Sequence, residues 1–408
     1  MRISRSALLS DVGQVRNNNE DAALARGNLL VVCDGMEGIE AGEVAAALAI
    51  ETLTAHAESI DRLARAGSAA AADHRKTVGE ALERAIQAAN SMVFETAAVQ
   101  HTGGMGTTLV AAAVVGAHAV IAHAGDSRAW LWRAGGLHQL TEDHSVAMLR
   151  LKRGLITEAQ LATDAHRNLL YRAVGMSEYV DVDLADVALA DGDVLMLCSD
   201  GLHGVVPEAT IAELLAHPDP NEAARRLVAA ANQNGGPDNI TVVIAHIAGD
   251  VPGNRLCTRQ KLLRGLYLFG ELSDSELAVV AHYLDESTAP AGATLAKKGK
   301  RGDDFMVLLD GRVRVSTGGL QLVDLGAGES FGEMALVSPA PRSATVTVLE
   351  PCTFLILSRQ NYDELCARRP EVGIKIGGAM LRTMAERIRE LTGRIAAVER
   401  ALRGPSKG

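Results

Sequence analysis

Residues 28–35 read NLLVVCDG, and residues 193–201, DVLMLCSDG, repeat the form: a short apolar run ending in aspartate and glycine. Apolar runs of this length, bounded by turn residues, read as strands buried on both faces. TTLVAAAVV (107–115), HAVIAHAGD (118–126) and NITVVIAHI (239–247) read the same way. Between them, Ala-rich amphipathic stretches near 41–58, 77–98 and 220–233 read as helices, and Thr157-Glu158-Ala159-Gln160 is a capping box that starts a short one. Strands in hairpins with separate helices predict an α+β fold, an antiparallel sandwich rather than a doubly wound parallel sheet.

The chain around these runs has 408 residues, enough for two or three domains. Its 40 Lys and Arg against 50 Asp and Glu give a net charge of −10. That argues against a nucleic-acid partner, which needs clustered positive charge. The charge is uneven: residues 1–247 hold 18 basic and 31 acidic side chains, whereas 248–408 hold 22 and 19. The uncharged stretch from Thr96 to Gly125 is broken by Gly103, Gly104, Gly106 and Gly116, so it reads as a buried β-hairpin and not a membrane span. No signal-peptide pattern opens the chain, and its five cysteines form no CxxC pair; both point to a reducing cytoplasm.

Residues 248–258 (AGDVPGNRLCT) read as a linker after a first domain, 1–247. Beyond it, Ser273-Asp274-Ser275-Glu276 caps a helix to about Leu284, and Gly-punctuated segments from Pro290 to Ser358 suggest a small barrel or jelly roll. The second domain is placed at 259–365 and a C-terminal helix at 366–404. In that helix Leu381, Met384, Ile388, Leu391, Ile395, Val398 and Leu402 form an a/d seam, which predicts a dimer.

The chemistry of the first part gathers at strand ends. Asp34-Gly35 and Asp200-Gly201 end strands, Gly236-Pro237-Asp238 begins one, and Arg16-Asn17-Asn18-Asn19-Glu20-Asp21 adds an arginine and two acids. Converging carboxylates repel one another unless cations lie between them. Oxygen-only donors select hard ions, Mg²⁺ or Mn²⁺. A pair of such ions about 4 Å apart lowers the pKa of a bridging water and polarises a phosphoryl group.

These residues, with SDVGQVRNNNEDA (10–22), VCDGMEG (32–38), GMGTTLV (104–110), AHAGDSRAWL (122–131), LTEDHS (140–145), HRNLLYRAVG (166–175), LCSDGL (197–202) and GGPDNITVVI (235–244), resemble the PPM-type metal-dependent Ser/Thr protein phosphatases in their bacterial form. The resemblance implies an α-β-β-α sandwich of two stacked antiparallel sheets flanked by helices. It implies that Asp34 bridges two metals, that Asp200 and Asp238 complete the first, and that the carbonyl of Gly35 with Asp21 and Glu20 serves the second through water. Asp126 with Asp200 would hold a weaker third ion, and Arg16 would bind the substrate phosphate. The implied reaction is direct attack by a metal-bridging hydroxide on a phosphoserine or phosphothreonine of a protein substrate. By the same resemblance Arg16, Asp34, Asp200 and Asp238 are the expected catalytic set.

Two departures bear on rate: Glu37 stands where the family usually has glycine, and Ile39 where a histidine often sits. His203 is a conceivable substitute for that histidine as proton donor. The alternative these departures leave is a weak or inactive phosphatase-like scaffold acting as a nucleotide receptor. Cys33 and Cys198 read as small buried residues beside the site, with oxidation-sensitive control as the minority reading.

In the second part, Phe331-Gly332-Glu333-Met334-Ala335-Leu336 is followed by Arg342-Ser343-Ala344-Thr345. A glycine turn, amide groups at a helix start, a carboxylate and an arginine suit a sugar phosphate. With LLRGLYLFGELSDSELAVVAHYL (262–284) and PAGATLAKKGKRGDDFMVLLDGRVRV (290–315), the segment resembles the phosphate-binding cassette of cyclic nucleotide-binding domains. The resemblance implies that Glu333 takes the ribose 2′-hydroxyl and Arg342 neutralises the cyclic phosphate. Gly332, Met334, Ala335, Ser343 and Ala344 complete the cassette. Ser343 is compatible with cAMP and does not exclude cGMP. The C-terminal helix resembles the dimer helix of the catabolite activator group, with Thr392 near the adenine. No helix-turn-helix follows it, so a transcription factor of that kind is not expected.

Overall fold

The computed structural model describes residues 1–36, 41–66, 72–101, 104–161, 163–249, 262–338 and 340–403. Glu37, Ile39 and most of the expected linker lie outside the described residues, as do the side chains of Ile395, Val398 and Leu402. The chain forms two compact units: 1–257 with 274–282, and 258–273 with 283–408.

The first unit has strands Arg2–Asp11 (β1), Asp21–Arg26 (β2), Leu29–Met36 (β3), Gly106–Thr107 (β4), Leu109–Val115 (β5), His118–Ala124 (β6), Arg128–Arg133 (β7), Gly136–Gln139 (β8), Asp183–Ala188 (β9), Val194–Cys198 (β10) and Ile240–Ala248 (β11). One sheet runs β1-β11-β10-β7-β8 and the other β2-β3-β5-β6-β9, with β4 beside β3. All pairings are antiparallel, including the β5–β6 hairpin within the uncharged stretch.

Alternation along the strands explains the layers. Leu29, Val31 and Cys33 join a core with the long helices Ala41–Ala66 and Ala72–Gln100, while Met196 and Cys198 join a second core with helices Glu208–Leu215 and Pro220–Gln233. The intervening Leu30, Val32, Leu195 and Leu197 are also buried, on the opposite strand faces. With both faces covered, the strands need continuous apolar sequence. Asp34 follows Val32 by two, so the period-two rule carries it to that same inter-sheet face at the sandwich end.

Helix Asp274–His282, expected with the second domain, belongs to the first unit. Its Leu277 and Val280 are buried, His138 Nδ1 lies 2.9 Å from Asp274 Oδ2, and a Cβ on Gly79 would come 3.1 Å from His282 Cε1. The capping box located the helix start but not what it would pack against.

The second unit contains strands Asp285–Ala289 (β12), Thr294–Ala296 (β13), Asp304–Thr317 (β14), Leu320–Leu325 (β15), Ser330–Phe331 (β16) and Thr345–Ser358 (β17). Their order is β12-β17-β14-β15, with β13 on β17 and β16 on β14. Register shifts between Leu308 and Val313 bend the 14-residue β14 along β17, and Met306, Leu308, Val313, Phe331, Val348 and Phe354 fill the core. Helices Arg359–Arg368 and Pro370–Arg403 end the described chain. Among the described residues no helix is long and apolar enough to cross a membrane.

Candidate functional site

A cleft of about 1170 Å³ is lined by Arg16, Glu20, Asp34, Gly35, Asp126, Asp200 and Asp238, with Val15, Leu169 and Met176 as apolar neighbours. Asp21 stands opposite Asp34 in the β2–β3 register. Asp126 comes from the β6–β7 turn, Asp200 from the end of β10, and Asp238 from just before β11. All the residues expected from sequence to hold metal therefore converge at one end of the sandwich.

The backbone around Asp34 is fixed from both sides. Its N–H donates to Thr108 Oγ1 at 3.1 Å, and its carbonyl accepts from Thr107 Oγ1 at 2.9 Å and from the Thr108 N–H at 2.8 Å. Ser199 Oγ donates to Asp21 Oδ2 at 2.7 Å and accepts from the Thr241 N–H at 3.0 Å, so it ties the two sheets together beneath the site. Asn239 Oδ1 accepts from the Glu20 N–H at 2.8 Å. Arg16 Nη2 donates to Asp238 Oδ2 at 2.8 Å, and its side chain is 48% exposed. Ser199, Thr107, Thr108 and Asn239 were not singled out from sequence; Ser199 and Asn239 are signalled by standing next to Asp200 and Asp238, whereas Thr107 and Thr108 reach Asp34 only through strand pairing.

Electrostatically the cluster is unbalanced. Burial, then the charges of Asp21, Asp200, Asp126 and Asp238, push the Asp34 carboxyl well above its ordinary value. Burial, then Asp200 and Asp143, do the same to Asp126. Burial, then Asp238, raises Asp200, although Asp34 within hydrogen-bonding reach offsets part of this. Asp21 is pushed up to about 7 by burial, against the hydroxyls of Thr241 and Ser199, and its Oδ1 is buried without a well-formed hydrogen bond. Oxygen donors that repel one another, one of them buried and unsatisfied, fit hard divalent cations. His203 Nε2 lies 3.1 Å from the Asp126 carbonyl, and burial, then Arg128, pushes it down to about 4. Its ring is thus engaged with the Asp126 backbone, and burial disfavours the charged form that a proton donor needs. Burial raises the Cys33 thiol well above its usual value and the Cys198 thiol to about 12, so both are inert.

Residues 4–150 match the protein phosphatase 2C family. The serine/threonine phosphatase stp of Listeria innocua is 36% identical over 242 residues, 58% of this chain and 92% of that protein. The chain belongs to the protein phosphatase 2C family. The serine/threonine protein phosphatase PstP of Mycobacterium tuberculosis is 38% identical over 250 residues, 60% of this chain. The chain spans about half of PstP's length, 45%. The solved catalytic domain of PstP in complex with two manganese ions aligns with TM-score 0.52 at 36% identity, covering 60% of this chain and 98% of that one. Residues 286–369 match the cyclic nucleotide-binding domain. The phosphatase 2C match falls within the first unit, and the nucleotide-binding match lies within the second.

In the second unit the cassette residues are assembled around Arg342. Its Nη2 donates to the Asp304 carbonyl at 2.8 Å, and a Cβ on Gly332 (φ +88°) would come 2.5 Å from that same carbonyl oxygen, so the position requires glycine. Glu333, 9% exposed, precedes the short helix Met334–Val337. The Ala335 N–H donates to the Gly332 carbonyl at 3.0 Å. Ser343 and Ala344 lead into β17. Arg387 of the C-terminal helix donates to Glu333 Oε1. Tyr267 Oη is buried without a hydrogen bond, and it feels the charges of both Glu333 and Arg387. Sequence reasoning missed Arg387 and Tyr267, which reach the cassette only through the tertiary fold.

Proposed function

We propose that this chain is a Mn²⁺- or Mg²⁺-dependent protein serine/threonine phosphatase whose activity responds to a cyclic nucleotide. The observation that carries the reading is the convergence of Glu20, Asp21, Asp34, Asp126, Asp200 and Asp238 with Arg16 at one cleft. Asp34, Asp200 and Asp238 with the Gly35 carbonyl would hold two ions, with Glu20 and Asp21 acting through water and Asp126 serving a third. When bound, the ions polarise the phosphoryl group and lower the pKa of a water at neutral pH.

The protein's own groups do the rest. Arg16, anchored by one nitrogen on Asp238, lines the cleft and keeps other guanidinium donors with which to orient a phosphate. Thr107 and Thr108 hold the Asp34 backbone so that its carboxylate needs no rearrangement. Val15, Leu169 and Met176 offer apolar surface for side chains flanking the phosphorylated residue. Phosphoserine and phosphothreonine proteins are the substrate class, by likeness to stp and PstP, which carry that name.

The ligand of the second unit is a cyclic nucleotide, cAMP in our reading, with its ribose on Glu333 and its phosphate on Arg342. The C-terminal helix, with Leu381, Ile388 and Leu391 exposed, pairs with a second copy, and the protein works in the cytoplasm. The test is hydrolysis of an aryl phosphate and a phosphothreonine peptide with Mn²⁺, against Asp34→Asn and Asp238→Asn. Activity above both variants supports the enzyme; none above them leaves an inactive nucleotide-binding scaffold.

A further inference from the structure

His144 lies outside the carboxylate cluster yet grips one of its members through the backbone. It is 2% exposed. Its N–H donates to the Gly125 carbonyl at 3.0 Å, and the Gly125 N–H donates back to His144 Nδ1 at 3.0 Å. The residue before Asp126 is therefore clamped on both of its backbone groups by a single side chain and its own main chain.

The clamp has a defined tautomer. An imidazole nitrogen that accepts a hydrogen bond carries a lone pair, so in the neutral ring the proton is on Nε2. Nε2 faces Asp183 Oδ2 at 3.1 Å, and Asp183 Oδ1 accepts from Arg172 Nη1 at 2.8 Å. His123 stacks on the ring with centroids 4.6 Å apart. The ligand atoms of His123, His144 and Asp183 lie within 4.8 Å of one another, the spacing of a metal site. The Arg172 guanidinium, 3.2 Å from His144 Nε2, brings a fixed positive charge there instead.

Gly125 cannot relax in another direction. Its φ is +116°, and a Cβ would fall 2.6 Å from Thr108 Cβ, on the residue that holds Asp34. On its other side His144 accepts the Tyr171 N–H at 3.0 Å, and the Val146 N–H donates to the Leu169 carbonyl at 2.7 Å. The same residue thus joins the Asp126 turn to the Leu169–Leu170 wall of the cleft.

We propose that His144, with its tautomer set by the Gly125 N–H on Nδ1 and by Asp183 on Nε2, is a positioning residue that aims Asp126 at its metal ion. The inference rests on the reading of Asp126 as a ligand of the weakest ion. Direct hydrogen-bond partners of a ligand typically change metal affinity about 10- to 100-fold, and His144, acting through the residue before Asp126, is expected at the lower end of that range.

The test uses the full chain and Mn²⁺ binding by calorimetry and electron paramagnetic resonance, in the wild type, Asp126→Ala, His144→Phe and His144→Asn. His144→Phe is expected to weaken the weakest Mn²⁺ about tenfold and leave the tighter ions unchanged. His144→Asn, whose amide oxygen falls near the Nδ1 position, is expected to recover most of the loss. Wild-type binding in His144→Phe overturns the proposal, as does equal loss of every ion in both His144 variants together with a lowered thermal midpoint. Asp126→Ala separates the premise: if it leaves the weakest ion unchanged, the ligand reading falls and the proposal falls with it. A second readout holds should His144→Phe fail to fold. In Asp183→Asn, Arg172 retains the amide oxygen and turns the NH₂ toward His144, so ¹⁵N shifts should report Nδ1–H in place of the wild-type Nε2–H. An Nδ1–H tautomer in the wild type overturns the proposal.

Discussion

Asp21 and Asp34 face each other across neighbouring antiparallel strands, two carboxylates paired where like charges destabilise a sheet. Asp200 lies within hydrogen-bonding reach of Asp34, and Arg16 forms an ion pair with the cluster through Asp238. Such a cluster costs stability, as the proposed cation site requires. In metal-free protein Asp34→Asn should therefore raise the unfolding free energy by roughly 1 kcal/mol. The same change should lower kcat about 10²–10³-fold with Mn²⁺ present. Chemical denaturation in chelator and a phosphate-release assay check the two halves.

Added Mn²⁺ should raise the thermal midpoint of the wild type, and the gain should follow mass action: about 2.7 kcal/mol at a free ion concentration a hundred times the dissociation constant. Asp34→Asn should lose most of that gain. Calorimetric scans across a Mn²⁺ series measure it.

Away from the cleft, Asp186 is buried between His118 and Arg75, with His118 Nδ1 2.7 Å from its Oδ1. Burial pushes this carboxyl up, but His118, then Arg75 and His282, outweigh it and hold it below the usual carboxylate range. A depressed folded value means stability that is fully present above the unfolded value of about 3.9 and lost as the pH falls below it. Asp186→Asn removes the buried charge that Arg75 and His118 both face and should destabilise the first unit by about 3–5 kcal/mol at pH 7. The gap between variant and wild type should narrow below pH 4. Urea unfolding at both pH values tests the sign.

Arg387 holds Glu333 from the C-terminal helix, so it orients the carboxylate that the ribose would meet. A hydrogen bond to a charged group contributes about 1.5–3 kcal/mol. Arg387→Ala should therefore weaken cAMP binding at least tenfold, and Arg342→Ala should weaken it further by removing the phosphate's partner. Isothermal calorimetry with the full chain reads both.

Leu381, Ile388 and Leu391 are 70%, 63% and 55% exposed on the helix Pro370–Arg403. Their a/d spacing suits a second copy. Sedimentation at micromolar concentration should give a dimer, and Leu381→Lys with Leu391→Lys a monomer.

Much of this was legible in the sequence, for physical reasons. Strands covered on both faces leave continuous apolar runs, and NLLVVCDG therefore marks both β3 and the carboxylate at its end. The acidic residues of the cleft were legible because each sits at a strand end or in a turn beside one. What was not legible depends on distant pairing. Glu333 meets Arg387, 54 residues on, and Asp183 meets His144 across 39. Helix Asp274–His282 announces its start by its capping residues, but its grouping with the first unit is a property of what its apolar face finds. The heptad seam marks a helix with equal clarity whether its face is covered or open.

The most direct measurement is Mn²⁺-dependent phosphate release from a phosphothreonine peptide by the full chain, with and without cAMP, beside Asp34→Asn and Arg342→Ala. The expected result is turnover that Asp34→Asn lowers about 10²–10³-fold and that cAMP changes in the wild type but not in Arg342→Ala. Turnover no greater than that of Asp34→Asn, at any Mn²⁺ or nucleotide concentration, would contradict the assignment.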